Sequence, residues 1–100
     1  MKVYIAGQIS GTDDYLERFA RAEAELTAKG YVVLNPAALP EGMSKEDYMS
    51  ICLPMLLCAD AVYMLCGWQF SSGALIEVQL ARYCGKNVIY EEKEDKADAE

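Results

Sequence analysis

Residues 71–82, SSGALIEVQLAR, place a carboxylate in a setting that could do chemistry. On a helix, Glu77 neighbours Gly73, Ala74, Leu80 and Ala81 at three- and four-residue spacing, and none of these is polar or cationic. Such neighbours strip water from a carboxyl and raise its pKa, while a nearby helix N-terminus favours the anion. A carboxylate held between these influences in a cleft suits a nucleophile or an acid–base group. The plainer alternative is a glutamate whose stem lies along the core with its head in water, or one paired with Arg82 or Lys86.

The neighbouring residues add possible binding groups. Ser71, Ser72 and Gly73 at a helix start could hold a phosphate or carboxylate, although Ser71 or Ser72 could equally serve as an ordinary N-cap. Trp68 and Phe70, just upstream, could stack on a planar ring, plug the end of the core, or form a contact between copies. A second loop, GQISG at 7–11, has glycines that let backbone approach a ligand. It is neither a dinucleotide fingerprint nor a Walker loop, and a simple tight turn explains it equally well.

These residues need elements to position them, and the pattern alternates strand and helix throughout. KVYIA (2–6) reads as a buried parallel strand. A helix follows to about Lys29, capped by Thr12 or Asp13 with two acids in its first turn, burying Tyr15, Phe19, Ala22 and Leu26 and stopping at Gly30. YVVLN (31–35) is the second strand. Ser44 and Asp47 open the next helix in a capping-box arrangement, and Pro54 predicts a kink or a break near Leu53. DAVYML (60–65), a helix ending at Gly85, and KNVIY (86–90) complete the set. The expected fold is α/β: a flavodoxin/Rossmann-like three-layer sandwich with a mostly parallel four-stranded sheet, order 2-1-3-4, and helices on both faces. Ligands in such sheets bind beyond the strand C-termini at the switch point, here between the first and third strands. The loops after those strands meet there, with Glu77 expected in the first turn of the helix leaving the second loop.

Composition bounds the rest. One hundred residues, 53% apolar, make one domain with a modest core. The formal charge is −7, of which −4 lies in the run EEKEDKADAE at 91–100, with six acids and two bases; this run is expected to be a disordered tail following a domain at 1–90. The body is near −3, without a basic stripe, so nucleic acid is not an expected partner. No apolar run reaches the roughly 18 residues of a membrane span and no signal peptide is evident, so the expected location is the cytoplasm. Cys52, Cys58, Cys66 and Cys84 lack CxxC spacing and the chain has no histidine, so no metal is expected and most of the thiols are expected buried and reduced.

Taken together, VYIAGQISG, NPAALPEG, EDYM, CADAVYMLCGWQFSSGALIE and NVIYE resemble, in order and spacing, the small nucleoside 2-deoxyribosyltransferase-like proteins of bacteria and phages. These are related to the deoxynucleoside 5′-phosphate N-hydrolases. The resemblance spans residue 1 to about 91. It implies a nucleoside or nucleoside 5′-monophosphate as ligand, no cofactor, and self-association into a homo-oligomer. It also implies a retaining double displacement in which a glutamate attacks C1′ and expels the base. Glu77 matches that glutamate, Tyr4 a tyrosine beside it, and Ser71 a serine that contacts the 5′-phosphate. Gly7 belongs to a loop under the sugar; Gln8, Ser10, Gly11, Trp68, Ser72 and Gly73 complete the expected substrate-binding set.

Two departures stand out. Relatives carry an aspartate in a YMxIDL pattern, where this chain reads YMSICL and has Cys52. That aspartate positions the sugar and helps the base to leave; Asp47 or a strand-initiating, structural Asp60 are the nearby substitutes. The hydrolases have an arginine where this chain has Ser10. The competing reading is a nucleotide- or nucleoside-binding protein with weakened catalysis. A flavodoxin-like signalling domain is disfavoured, because neither IAGQI nor YMLCG supplies an acidic pocket.

Overall fold

The computed structural model describes residues 1–92. Strand β1 (Lys2–Ala6) leads to helix α1 (Tyr15–Ala28), strand β2 (Val32–Leu34), helix α2 (Lys45–Cys58) and strand β3 (Ala61–Met64). Helix α3 (Ser72–Tyr83) and strand β4 (Asn87–Tyr90) follow, and short 3-10 turns occupy Pro36–Ala38 and Trp68–Phe70. The four strands pair in parallel in the order β2-β1-β3-β4, as the alternation predicts.

Side chains alternate across the central strands and so split the core in two. Val3 and Ile5 of β1, with Ala61 and Leu65, pack against Phe19, Ala22 and Leu26 of α1. Tyr4 and Ala6, with Val62 and Met64, face the opposite way onto Cys52 and Leu56 of α2 and Ala74, Val78 and Ala81 of α3. The result is three layers: α1, the sheet, then α2 and α3. No helix of the described residues is long and apolar enough to cross a membrane.

Local signals account for most boundaries. Ser44 Oγ accepts from Asp47 N at 3.0 Å while the Asp47 carboxylate accepts from Ser44 N at 3.3 Å, closing the expected capping box of α2. Gly30 and Gly85 take positive φ just past α1 and α3, where a side chain would be strained.

Two expectations fail. The N-cap of α1 falls one to two residues later than expected: Asp14 holds it without a side-chain cap bond, and Thr12 Oγ1 instead donates to Ile9 O at 3.1 Å within the loop. Helix α2 runs through Pro54 without a break. Proline removes the donor to the Ser50 carbonyl, but both residues lie on the exposed side, where water can take that carbonyl. Of the acidic run, the structure describes Glu91 and Glu92. Glu91 N donates to Met64 O and its carboxylate accepts from Cys66 N, so this residue extends the β3–β4 ladder. The expectation for residues 93–100 lies outside the described residues.

Candidate active site

Strand order brings the loops after β1, β2 and β3 to one edge of the sheet, where they enclose a cavity of about 550 Å³. That is an ordinary size for a small-molecule site. Its floor is built by β1 and α3. Tyr4 points from β1 into the α2/α3 layer, and its hydroxyl donates to Glu77 Oε2 at 2.6 Å, a bond between residues 73 apart in sequence.

Glu77 is 7% exposed and is the buried charged residue of the described chain. Burial pushes its carboxyl up to about 7, with the Tyr4 hydrogen bond pulling the other way. Neither Arg82 nor Lys86 pairs with it: Arg82 donates to the Tyr90 hydroxyl, and Lys86 to the carbonyls of Leu57 and Ala59. Glu77 stands in the second turn of α3, not the first, since the helix opens at Ser72. The helix N-terminus therefore acts on it more weakly than the sequence suggested, and loss of water dominates.

Cys52 reaches the same floor from α2. It is also 7% exposed, and its thiol is within hydrogen-bonding reach of the Tyr4 hydroxyl. Burial raises the thiol's pKa, the Tyr4 bond lowers it, and the Glu77 charge raises it. Tyr4 is raised as well, by burial first and by the Glu77 charge second. The floor thus holds a carboxyl, a phenol and a thiol that share a desolvated space.

The rim gathers Gly7, Gln8 and Ser10 from the first loop, and Ser71, Ser72 and Gly73 from the start of α3. Ser71 caps α3 by accepting from Ala74 N at 3.1 Å, which leaves the hydroxyl proton to be donated. Gly7 is required by packing: a Cβ there would stand 3.0 Å from Leu65 Cβ. Sequence reasoning missed the third wall. Glu41, Lys45, Tyr48 and Met49 line the cavity from the β2–α2 loop and the first turns of α2. The signal was available, because a loop leaving β2 in this strand order must emerge beside β1 at the same edge.

Two expected residues lie elsewhere. Gly11 does not line the cavity; its φ of +82° serves the turn into α1. Trp68 lies on the β4 side, after Gly67 (φ +89°) redirects the chain. There it packs on Tyr90 with ring centroids 6.0 Å apart and lines a separate cavity of about 670 Å³. Phe70 borders both cavities and is 80% exposed. The thiols also differ from expectation. Among the described residues only Cys52 is a buried thiol: Cys58 at the end of α2 and Cys84 just past α3 are exposed, and Cys66 after β3 is intermediate. Among the described residues no group of three or more His, Cys, Asp or Glu could hold a metal ion. Asp47 is committed to its capping box and Asp60 to Lys2, so neither reaches the cavity floor.

Residues 1–90 match the model of a family described as a domain of unknown function, DUF4406. The chain belongs to the DUF4406 family. No curated protein matches this DUF4406 chain at a significant level. Among solved structures it is similar to a 2-deoxyribosyltransferase from the psychrotolerant bacterium Bacillus psychrosaccharolyticus, described as a biocatalyst for synthesis of antiviral and antitumoral nucleosides. The superposition has a TM-score of 0.73 at 22% identity and covers 90% of this chain and 71% of that one. At that identity the likeness speaks for a shared fold.

Proposed function

We propose that this DUF4406 protein cleaves or exchanges the N-glycosidic bond of a nucleoside or nucleoside 5′-monophosphate, with Glu77 as nucleophile. The observation that carries the reading is the buried Tyr4–Glu77 hydrogen bond of 2.6 Å on the floor of a nucleoside-sized cavity. The fold shared with a deoxyribosyltransferase and the sequence resemblance support it.

The geometry suggests the division of labour. Tyr4 occupies Oε2 and fixes the carboxylate plane, leaving Oε1 to attack C1′. The C1′–N bond breaks as the C1′–O bond forms, giving a glycosyl ester. Water or a second base then attacks C1′ from the face the first base left and frees the carboxylate. A carboxyl titrating near 7 is ready in its ionised form at neutral to alkaline pH. Gln8, Ser10 and Ser71 offer the polar rim on which sugar hydroxyls or a 5′-phosphate can be held.

The test is base release, followed by chromatography, across nucleosides and 5′-monophosphates for the wild type and Glu77→Gln. Release that disappears in the Gln variant is the expected result; release that persists overturns the role of Glu77. A second reading, a nucleoside-binding protein with weak chemistry, is favoured by one observation: Cys52 places a thiol on the floor, within reach of Tyr4. It predicts ligand-dependent thermal stabilisation without turnover.

A further inference from the structure

Breaking an N-glycosidic bond has two halves, and the Tyr4–Glu77 floor supplies only one. Attack at C1′ needs an ionised carboxylate. Departure of an ordinary neutral base needs a proton on a ring nitrogen, because the base otherwise leaves as an anion. The cavity holds few protons to give. The Tyr4 proton is committed to Glu77 Oε2, the atom pair of the nucleophile itself. Among the described residues, Cys52 is the one further titratable group on the floor, a buried thiol beside Tyr4. At the mouth, Tyr15 donates to Glu41 Oε2 at 3.1 Å and Tyr48 to the Pro40 carbonyl at 2.7 Å, so both of these lining phenols already have an acceptor for their proton. Lys45, at the first position of α2, lines the rim with an exposed side chain, away from the buried Tyr4–Glu77 floor.

We infer that the site favours nucleosides whose base already carries a positive charge, such as N-alkylated purines or pyridinium ribosides. The inference rests on the glycosidic reading above and names its substrate class. For such a substrate the bookkeeping closes without an acid. Glu77 Oε1 forms the bond to C1′, the C1′–N electron pair passes to the cationic ring nitrogen, and the base departs neutral. No proton moves in this step. In the second step water attacks C1′, the ester oxygen regains its electron pair as the Glu77 carboxylate, and the water proton passes to solvent.

Two further features suit a cationic base. Among the described residues, the cavity lining carries the carboxyls of Glu77 and Glu41 against the ammonium of Lys45. Phe70, 80% exposed at the cavity edge, offers an open π face, and cations are attracted to such faces. The upward shifts of Tyr4 and Cys52 act in the same direction, since both groups hold their protons more tightly than usual.

The experiment compares 7-methyl-2′-deoxyguanosine with 2′-deoxyguanosine, and their ribo forms, each corrected for release without protein. A pyridinium nucleoside, whose charge does not titrate, is run across pH. Wild type and Cys52→Asp are assayed side by side. General acid help is typically worth about 10²–10⁴-fold, so wild-type kcat/KM is expected to favour the methylated substrate by at least about 10²-fold. Cys52→Asp restores an acid; it is expected to speed guanine release and to shrink that preference by about tenfold or more. The pyridinium profile is expected to rise through pH about 7 and then stay level, with no falling limb from a required acid.

Wild-type kcat/KM values within about threefold of each other would overturn the inference while leaving the glycosidic reading intact. A falling alkaline limb with the pyridinium substrate would do the same, and it decides the matter even if Cys52→Asp does not fold. Release from neither substrate, by either protein, would remove the glycosidic reading itself and the inference with it.

Discussion

Tyr4 and Glu77 are best understood through what each does to the other. The Tyr4 hydroxyl donates to a carboxylate but gains much less from a neutral carboxylic acid, so the bond favours ionisation of Glu77 against the cost of burial. Tyr4→Phe removes that support and keeps the ring. A hydrogen bond to a charged group is worth roughly 1.5–3 kcal/mol, and one pKa unit corresponds to about 1.4 kcal/mol. The midpoint of the rising kcat/KM–pH profile is therefore expected to move up by about one to two units from its starting point near 7. An unchanged midpoint would mean that Glu77 is not the titrating nucleophile. How much of this pair was legible differs by residue. Glu77 stood out because its helical neighbours at 73, 74, 80 and 81 are apolar or small. Tyr4 looked like one more strand residue, and only the resemblance singled it out. A contact spanning 73 residues leaves no local trace.

Elements set the walls of the cavity, and glycine positions show how tightly. Gly7 follows β1 and packs against the fully buried Leu65, which follows β3; an alanine Cβ would stand 3.0–3.3 Å from three Leu65 atoms. Leu65 is enclosed by α1 and cannot move aside, so Gly7→Ala is expected to cost about 1–3 kcal/mol as overpacking. At Gly73 the nearest obstacle is Met49 Cε at 3.2 Å, the free end of a flexible side chain. Gly73→Ala is therefore expected to leave the melting temperature nearly unchanged. Thermal unfolding distinguishes the two, since about 1 kcal/mol moves Tm by roughly 4–8 °C in a domain this size. Equal effects at both sites would contradict the packing argument. Pro54 gives the opposite sign. It lies on the exposed face of an unbroken helix, where proline costs about 3 kcal/mol relative to alanine. Pro54→Ala restores a donor to the Ser50 carbonyl and is expected to raise Tm by several degrees. Capping boxes and glycine stops were readable because their chemistry is local, as at Ser44, Gly30 and Gly85. The start of α1 was not, because Thr12, Asp13 and Asp14 are all competent caps and tertiary closure of the first loop chose among them.

At the scale of the molecule, the strand order 2-1-3-4 puts a switch point between β1 and β3, and that order predicts where a ligand site opens. Topology could not say which loop residues turn inward: Trp68 faces β4 while Glu41 and Lys45 face the cavity. The arrangement has a consequence for the stability of the whole fold. Burying Glu77 between α3 and β1 raises its carboxyl from an ordinary value of 4.5 to about 7. Below the lower value the carboxyl is protonated whether the chain is folded or unfolded, and its burial costs little. Between the two values the unfolded chain has released the proton and the folded chain still holds it, so stability falls as pH rises. Above about 7 both states are ionised and the full penalty persists, on the order of 3 kcal/mol. Asp60 acts with the opposite sign, because its bonds to Lys2 hold it below the usual range and its contribution is lost only in acid. Glu77→Gln keeps the shape and the hydrogen bond to Tyr4 but cannot ionise. Urea unfolding of both proteins at about pH 5 and about pH 8 isolates the effect, since all other titrations cancel in the difference. The Gln variant is expected to gain on the wild type by roughly 2.5 kcal/mol between those conditions. Parallel curves for the two proteins would mean that the Glu77 carboxyl is not held out of water, and the account of its activation would fall with it.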